Sequence, residues 1–292
     1  MRLIAHGKVN WTLSVLGQRE DGYHELDMLM QSVRLGDQIE LYEADELSLG
    51  IVGRMLVPDD GSNLILRAAE VVRAALGVRR GARILLRKHI PISAGLGGGS
   101  ADAAATLVGL NRLWDLGLTD PELRALALQV GADVPFCVTG GLARAEGVGE
   151  RLTPLETTTR LDLAIIKPTN GLSTPAVFGA YDMLAQKPRN PNTDAVARAL
   201  VDGDRQGLAN NMHNALQQVA IPLRPEIATC IQAMEHLGAL RAQMTGSGSA
   251  VIGLFESTAA AACAVRACAR IWPHSFRTHT MDRGLSILSD IK

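Results

Sequence analysis

Aromatic residues are scarce in this chain: three Trp, three Tyr and four Phe make up 3% of 292 residues. The core is therefore expected to be built from Ala, Val, Leu and Ile, and the few exposed rings stand out. Charge of one sign is lacking too. Lys and Arg number 29 against 30 Asp and Glu, a formal net charge of −1. No basic run reads as a polyanion tract, so no nucleic-acid partner is expected and any anion binding must be local. The four cysteines, Cys137, Cys230, Cys263 and Cys268, include no C-x-x-C pair. That excludes the usual zinc and dithiol-redox motifs and leaves buried thiols in a reducing compartment as the expectation. No stretch approaches the ~20 apolar residues of a membrane span, and the first residues turn polar by His6–Lys8, before a signal core can form. A cytoplasmic location without a membrane partner is expected.

What is present is the balance of a globular enzyme-sized chain: 47% hydrophobic and 20% charged residues, long enough for one large domain or two ordinary ones. Period-two alternation marks strands in Leu3–Leu16, Met28–Leu35 and Gln38–Glu43, the last two separated at Gly36–Asp37. In the first of them Ile4, His6, Lys8 and Asn10 share a face. A helix is predicted from Asn63 to Leu76, capped by Ser62 or Asn63 and stopped by Gly77. A strand over Ala82–Ile90 precedes a helix over Ser100–Trp114. Thr119-Asp120-Pro121-Glu122 opens another helix ending near Gly131, and strands follow at Leu142–Glu146 and Leu161–Lys167. Beyond Ser173 helices dominate: Thr174–Leu184, Thr193–Leu200, Ala209–Gln218 and Pro225–Leu237. A strand–Gly loop–strand passage over Gln243–Phe255, a helix over 257–271 and a strand near Phe276–Thr280 complete the prediction. Linker-like residues cluster at Lys187–Asn192. A domain boundary is placed near residue 160, giving units 1–160 and 161–292.

The most informative segment is Pro91-Ile92-Ser93-Ala94-Gly95-Leu96-Gly97-Gly98-Gly99-Ser100-Ala101. Four glycines in five positions, between a strand and a helix, strip side chains from the backbone. Its N–H groups can then converge on a phosphate at the positive end of the following helix. Ser100 adds a hydroxyl. The loop is neither a Walker motif nor the dinucleotide fingerprint, since Ser100 stands where the third Gly of G-x-G-x-x-G belongs.

P-x-x-x-G-L-G-G-G-S-A resembles the second motif of the GHMP kinases, the superfamily of galactokinase, homoserine kinase, mevalonate kinase and phosphomevalonate kinase. Thr245-Gly246-Ser247-Gly248-Ser249-Ala250 is similar to the third motif, with Ser247 and Ser249 as departures. Ile92-Ser93-Ala94 lacks a glycine often found there. Ala5-His6-Gly7-Lys8-Val9-Asn10, the run Gly17-Gln18-Arg19-Glu20-Asp21-Gly22-Tyr23-His24 and Gly131-Ala132-Asp133-Val134-Pro135-Phe136 resemble one branch. That branch acts on cytidine-diphosphate methylerythritol in the non-mevalonate isoprenoid pathway. The resemblance runs from residue 5 to about 255.

It implies an α+β, two-domain fold: an N-terminal domain like domain two of ribosomal protein S5 and a ferredoxin-like C-terminal domain, with ATP and a small-molecule substrate between them. It implies that the Pro91–Ala101 loop holds ATP. Mg²⁺ is expected to arrive with the nucleotide, Ser100 nearby, since no carboxylate cluster reads as a metal site of its own. Phosphorylating an alcohol requires alignment, charge neutralisation and a proton acceptor. Asp133 fits the acceptor, lying at a break between Gly131 and Val134-Pro135; taken alone it also reads as a helix cap. Lys8 fits the adjacent cation, although alone it reads as a solvated strand residue. Asn10, two residues on, can bond the substrate. By the resemblance Tyr23 stacks on the cytosine ring, His24 reads its polar edge and Phe178 supplies a second ring. Lys167–Pro175 is a further phosphate or substrate contact candidate. A different GHMP substrate is disfavoured by the Gly-Tyr-His run, and an RNA-binding module by the neutral charge and the Lys8–Asp133 pair.

Overall fold

The computed structural model describes residues 1–53, 57–188 and 192–289. The chain opens on a long antiparallel hairpin, β1 (Arg2–Gln18) and β2 (His24–Ala44), turned at Asp21–Gly22. Then come β3 (Leu47–Ile51), α1 (Leu64–Leu76), β4 (Gly81–Arg87), α2 (Gly98–Leu113), α3 (Asp120–Val130), α4 (Val134–Thr139), β5 (Leu142–Gly147) and β6 (Arg151–Leu155). The remainder comprises β7 (Asp162–Ile166), α5 (Thr174–Asp182), α6 (Thr193–Asp202), α7 (Arg205–Asn211), β8 (His213–Asn214), α8 (Gln217–Leu223), α9 (Glu226–His236), β9 (Arg241–Met244), β10 (Val251–Phe255), α10 (Thr258–Cys268), β11 (Ser275–His279) and β12 (Leu285–Ser289).

Two sheets organise these elements. The first, of eight strands, runs β12-β1-β2-β4-β3, with β5 paired to β2, β6 paired to β5, and β8 beside β1. The second is an antiparallel four-strand sheet in the order β11-β7-β10-β9. β7, at the start of the second unit expected from the sequence, opens this sheet, whereas β12 returns to the first and pairs with β1. One face of the first sheet is covered by α1 and α2. The buried residues of α2 include four Ala (Ala101, Ala103, Ala104, Ala105) and Gly109, so the helix sits close against the strands. A second core lies between the sheets, where Val9, Trp11, Leu29 and Val33 meet Leu163, Ile165, Ile252 and Leu254. Among these apolar residues Trp11 still finds a partner, its indole N–H donating to Gln31 Oε1 at 2.9 Å.

Local signals mostly act as read. Asn63 caps α1 by accepting from the Ile65 N–H, and Gly77 closes it at φ 67°. The Glu122 carboxylate accepts from the Thr119 N–H at the start of α3. Several expectations are corrected. Gly36–Asp37 does not split two strands: β2 runs through it, and a Cβ at Gly36 would lie 2.7 Å from Ile4 Cγ2, so glycine permits close strand contact rather than a turn. The strand expected to reach Ile90 ends at Arg87, because the His89 and Ile90 N–H groups turn to donate to Asp37. The helix expected over Ala209–Gln218 is α7, β8 and α8. It is interrupted where Asn214 donates to the Met244 and Gly246 carbonyls. Strands β6 and β12 were not anticipated. Of the linker-like cluster, residues 189–191 lie outside the described residues.

Candidate active site

The two sheets and their Gly loops enclose a cleft of about 1010 Å³, lined by Lys8, Asn10, Tyr23, His24, Asp133, Phe178 and the whole loop from Pro91 to Ser100. That is the upper end of the roughly 300–1,000 Å³ usual for a single ligand site, which suits two ligands side by side.

The phosphate-loop candidate leaves Arg87, passes through the cleft wall and ends as α2. Gly97, at φ 67°, is the residue before the helix, so α2 begins at Gly98, two residues earlier than periodicity alone indicates. The loop is stitched to both sheets. The Lys8 N–H donates to the Leu96 carbonyl at 2.9 Å, and the Ala250 N–H to the Ala94 carbonyl at 3.1 Å. Gly95, at φ +76°, abuts the second Gly loop so closely that a Cβ there would sit 2.1 Å from the Thr245 carbonyl oxygen. We therefore expect Gly95→Val to weaken nucleotide binding by about 5- to 150-fold, the equivalent of ~1–3 kcal/mol of backbone strain. Fluorescence titration with a nucleotide analogue reads this out, and unchanged affinity in a folded variant would place the phosphate site elsewhere.

Lys8, Asn10 and Asp133 converge. Lys8 Nζ donates to Asn10 Oδ1 at 2.7 Å and lies 3.5 Å from Asp133 Oδ2. Asn10 is held at its other groups: its N–H donates to Thr245 Oγ1 and its Nδ2 contacts Met28 Sδ at 3.4 Å. Lys8 is buried, its aliphatic stem against Gly97, whereas the Asp133 side chain is 34% exposed. Asp133 stands at the N-cap position of α4, yet its carboxylate caps no helical N–H. The capping alternative for this residue is therefore not what its side chain does.

At the other end of the cleft, α5 offers Phe178 and Asp182 one turn apart. The His24 and Phe178 rings stack at 4.6 Å with 27° between planes, and His24 Nε2 is 2.8 Å from Asp182 Oδ1. Tyr23 is 65% exposed at the rim; the ring lying on Phe178 is that of His24. The passage from Lys167 to Pro175 lies against both Gly loops. Lys167 Nζ donates to the Ile92 carbonyl at 2.8 Å, Ser249 Oγ to the Thr169 carbonyl, and Thr174 Oγ1 meets Ser247 Oγ at 2.8 Å.

Three charged residues missed in the sequence underlie the loop. Lys88 Nζ donates to Asp37 Oδ2 and, at 2.7 Å, to Asp102 Oδ2, all three side chains being no more than 5% exposed. Burial alone would lower the Lys88 pKa, but the Asp102 and Asp37 carboxylates raise it. Burial pushes Asp102 well above the usual carboxyl range, against the pull of Lys88. A Gly-Asp pair inside a strand and a Lys after one gave no signal that they meet. Among the described residues no three His, Cys, Asp or Glu side chains group as a metal site, and no helix is long and apolar enough to cross a membrane.

Residues 63–141 match the GHMP kinases N terminal domain and residues 196–274 the GHMP kinases C terminal domain. A 4-diphosphocytidyl-2-C-methyl-D-erythritol kinase of Pelotomaculum thermopropionicum is 46% identical over 253 residues, covering 86% of this chain and 88% of the relative. The enzyme of that name from Alkaliphilus metalliredigens is 42% identical, with 88% of each chain covered. The crystal structure of a 4-(cytidine 5'-diphospho)-2C-methyl-D-erythritol kinase superposes with a TM-score of 0.82 at 37% identity, over 96% of this chain and 99% of that one. A homoserine kinase from Cytophaga hutchinsonii, at 20% identity and a TM-score of 0.78, shares the fold. On this similarity over nearly its whole length, the chain belongs to the 4-diphosphocytidyl-2-C-methyl-D-erythritol kinase family of the GHMP kinases.

Proposed function

We propose that this chain transfers the γ-phosphoryl group of ATP to the 2-hydroxyl of 4-diphosphocytidyl-2-C-methyl-D-erythritol, a step of the non-mevalonate route to isoprenoid precursors, in the cytoplasm. The observation that carries this reading is the convergence of Lys8, Asn10 and Asp133 beside the Gly loop at one part of the cleft, with Tyr23, His24 and Phe178 at another. ATP lies along Pro91–Ala101, its phosphates on loop N–H groups and the start of α2. Residues 1–160 and 161–292 form the two units, with β12 returning to the first.

Asp133 takes the proton from the attacking hydroxyl as the O–P bond forms. Lys8, 3.5 Å away, offsets charge on the transferred group. The Lys8 bond fixes the Asn10 amide with its oxygen occupied, leaving for the substrate the amide N–H that does not face Met28. Magnesium carried by ATP would add charge neutralisation at the phosphates, and Ser100, which lines the cleft, would offer it a hydroxyl.

The direct test is ADP release from ATP with cytidine-diphosphate methylerythritol, compared with mevalonate and homoserine. Turnover restricted to the latter two would overturn the reading. Tyr23→Ala is expected to raise KM for the cytidylyl substrate by roughly 5- to 150-fold, the loss of one stacked face at about 1–3 kcal/mol. KM for ATP should hardly change. Equal weakening of both substrates would make Tyr23 structural.

A further inference from the structure

We propose that Asp182 is a positioning residue that fixes the tautomer of His24 and so makes the site select an amino-bearing pyrimidine over its carbonyl counterpart. The proposal rests on the cytidylyl reading above and deepens it.

The argument begins on α5. Phe178 and Asp182 are four residues apart, hence on one face of the helix, and both meet His24. The Phe178 ring takes one face of the imidazole at 4.6 Å and sets its plane. The Asp182 carboxylate takes one edge, at 2.8 Å from Nε2, and sets which way round the ring lies in that plane. Lys187 Nζ is 3.7 Å from the same Asp182 oxygen and 4.7 Å from the Tyr181 ring centre, so the carboxylate is itself anchored. His24 is 9% exposed and lines the cleft.

A carboxylate can only accept a hydrogen bond, so Nε2 carries the proton and donates. In the neutral ring the other nitrogen, Nδ1, is then an acceptor. Among the described residues Nδ1 makes no hydrogen bond of its own. A base lying edge to edge with His24 extends the layer stacked on Phe178, and what its edge must present to Nδ1 is a donor. The exocyclic amine of cytosine is a donor; the carbonyl oxygen of uracil at the same position is an acceptor and would face a lone pair. A carboxylate that acts on the base through His24 thereby decides which base is accepted. Hydrogen-bonding sites reject mismatched analogues more strongly than apolar ones do, because the mismatch leaves a polar group unpaired.

The test measures kcat/KM for cytidine-diphosphate methylerythritol and for its uridine counterpart, in the parent protein, Asp182→Asn and Asp182→Ala. It is paired with ¹⁵N NMR of the His24 ring. The parent is expected to show the proton on Nε2. In Asp182→Ala both tautomers are expected, and the cytidine-to-uridine ratio should fall by about 5- to 150-fold, the effect of one unmatched hydrogen-bonding group. Asp182→Asn, which can donate as well as accept, should fall in the same direction, with KM for ATP unchanged in both. A parent ring protonated at Nδ1, or an unchanged ratio in the Ala variant, overturns the proposal. Failure of the parent to phosphorylate the cytidylyl substrate at all would instead overturn the functional reading on which it rests.

Discussion

Asp133→Asn is expected to lower kcat by about 100- to 10,000-fold, the usual worth of a positioned general base. Asn keeps the shape of the side chain and its place before α4, but cannot take a proton. Nucleotide binding should survive, because the Gly loop is built on β1, β4 and α2 contacts that do not involve Asp133. The loss then falls on the transition state rather than on ground-state binding. Steady-state kinetics with parallel nucleotide titration would check this. A variant that keeps more than about a tenth of the parent kcat would mean that the proton leaves by another route.

Lys88→Met is the second large effect, and it falls on stability. The ammonium sits between two carboxylates that water does not reach. Breaking a buried ion pair from one side typically costs about 3–5 kcal/mol, because a charge is left without a partner. Here Asp37 keeps the His89 and Ile90 N–H groups, but Asp102 loses the partner of its Oδ2, and its Oδ1 has none among the described residues. Urea unfolding should show the loss at pH 7. Lys88→Met combined with Asp102→Leu should recover part of it, by removing the stranded charge along with its cation. The pH dependence has a definite sign. A carboxyl whose pKa is raised in the folded state holds its proton more tightly there than in the unfolded chain. Its stability is greatest in acid and falls as pH climbs from the ordinary carboxyl range to the folded pKa. Asp102 is already raised by burial, and without Lys88 it should rise further. The gap between variant and parent should therefore narrow as pH is lowered toward the carboxyl range. A gap that does not change with pH would mean the variant fails through packing and not through charge.

How much of this was legible depended on whether a residue's neighbours were near in sequence. The Gly loop announces itself within eleven positions, and Lys8 and Asn10 share a strand face by simple alternation, so their 2.7 Å contact follows from period two. Asp133 stood out as a break between Gly131 and Pro135. Asp37, Lys88 and Asp102 did not: Gly-Asp reads as a turn, Lys88 falls inside the strand expected over Ala82–Ile90, and Asp102 falls inside the helix expected over Ser100–Trp114. Only the fold brings them together. Asp182 was hidden for the same reason, at the end of an unremarkable helix 158 residues from the histidine it meets. The missed strands are short and carry weak signals: Pro154 lies within β6, and the Leu-Ser-Ile-Leu-Ser run of β12 breaks period-two alternation. The helix expected over Ala209–Gln218 failed where Asn214 found better partners in a distant loop than in its own helix.

The return of β12 to the first sheet has a consequence for how the molecule comes into being. Residues 285–289 leave the ribosome after every other described element, yet they flank β1, the strand that carries Lys8 and Asn10. Until they arrive, that margin of β1 presents unpaired N–H and C=O groups, the kind of surface on which nascent chains misassociate. Closing it pairs Arg2–Ala5 with Leu285–Ser289, contacts of very large sequence separation and so slow to form. Lys8 and Asn10 thus belong to a sheet whose assembly is finished only once β12, the last described strand, has been made.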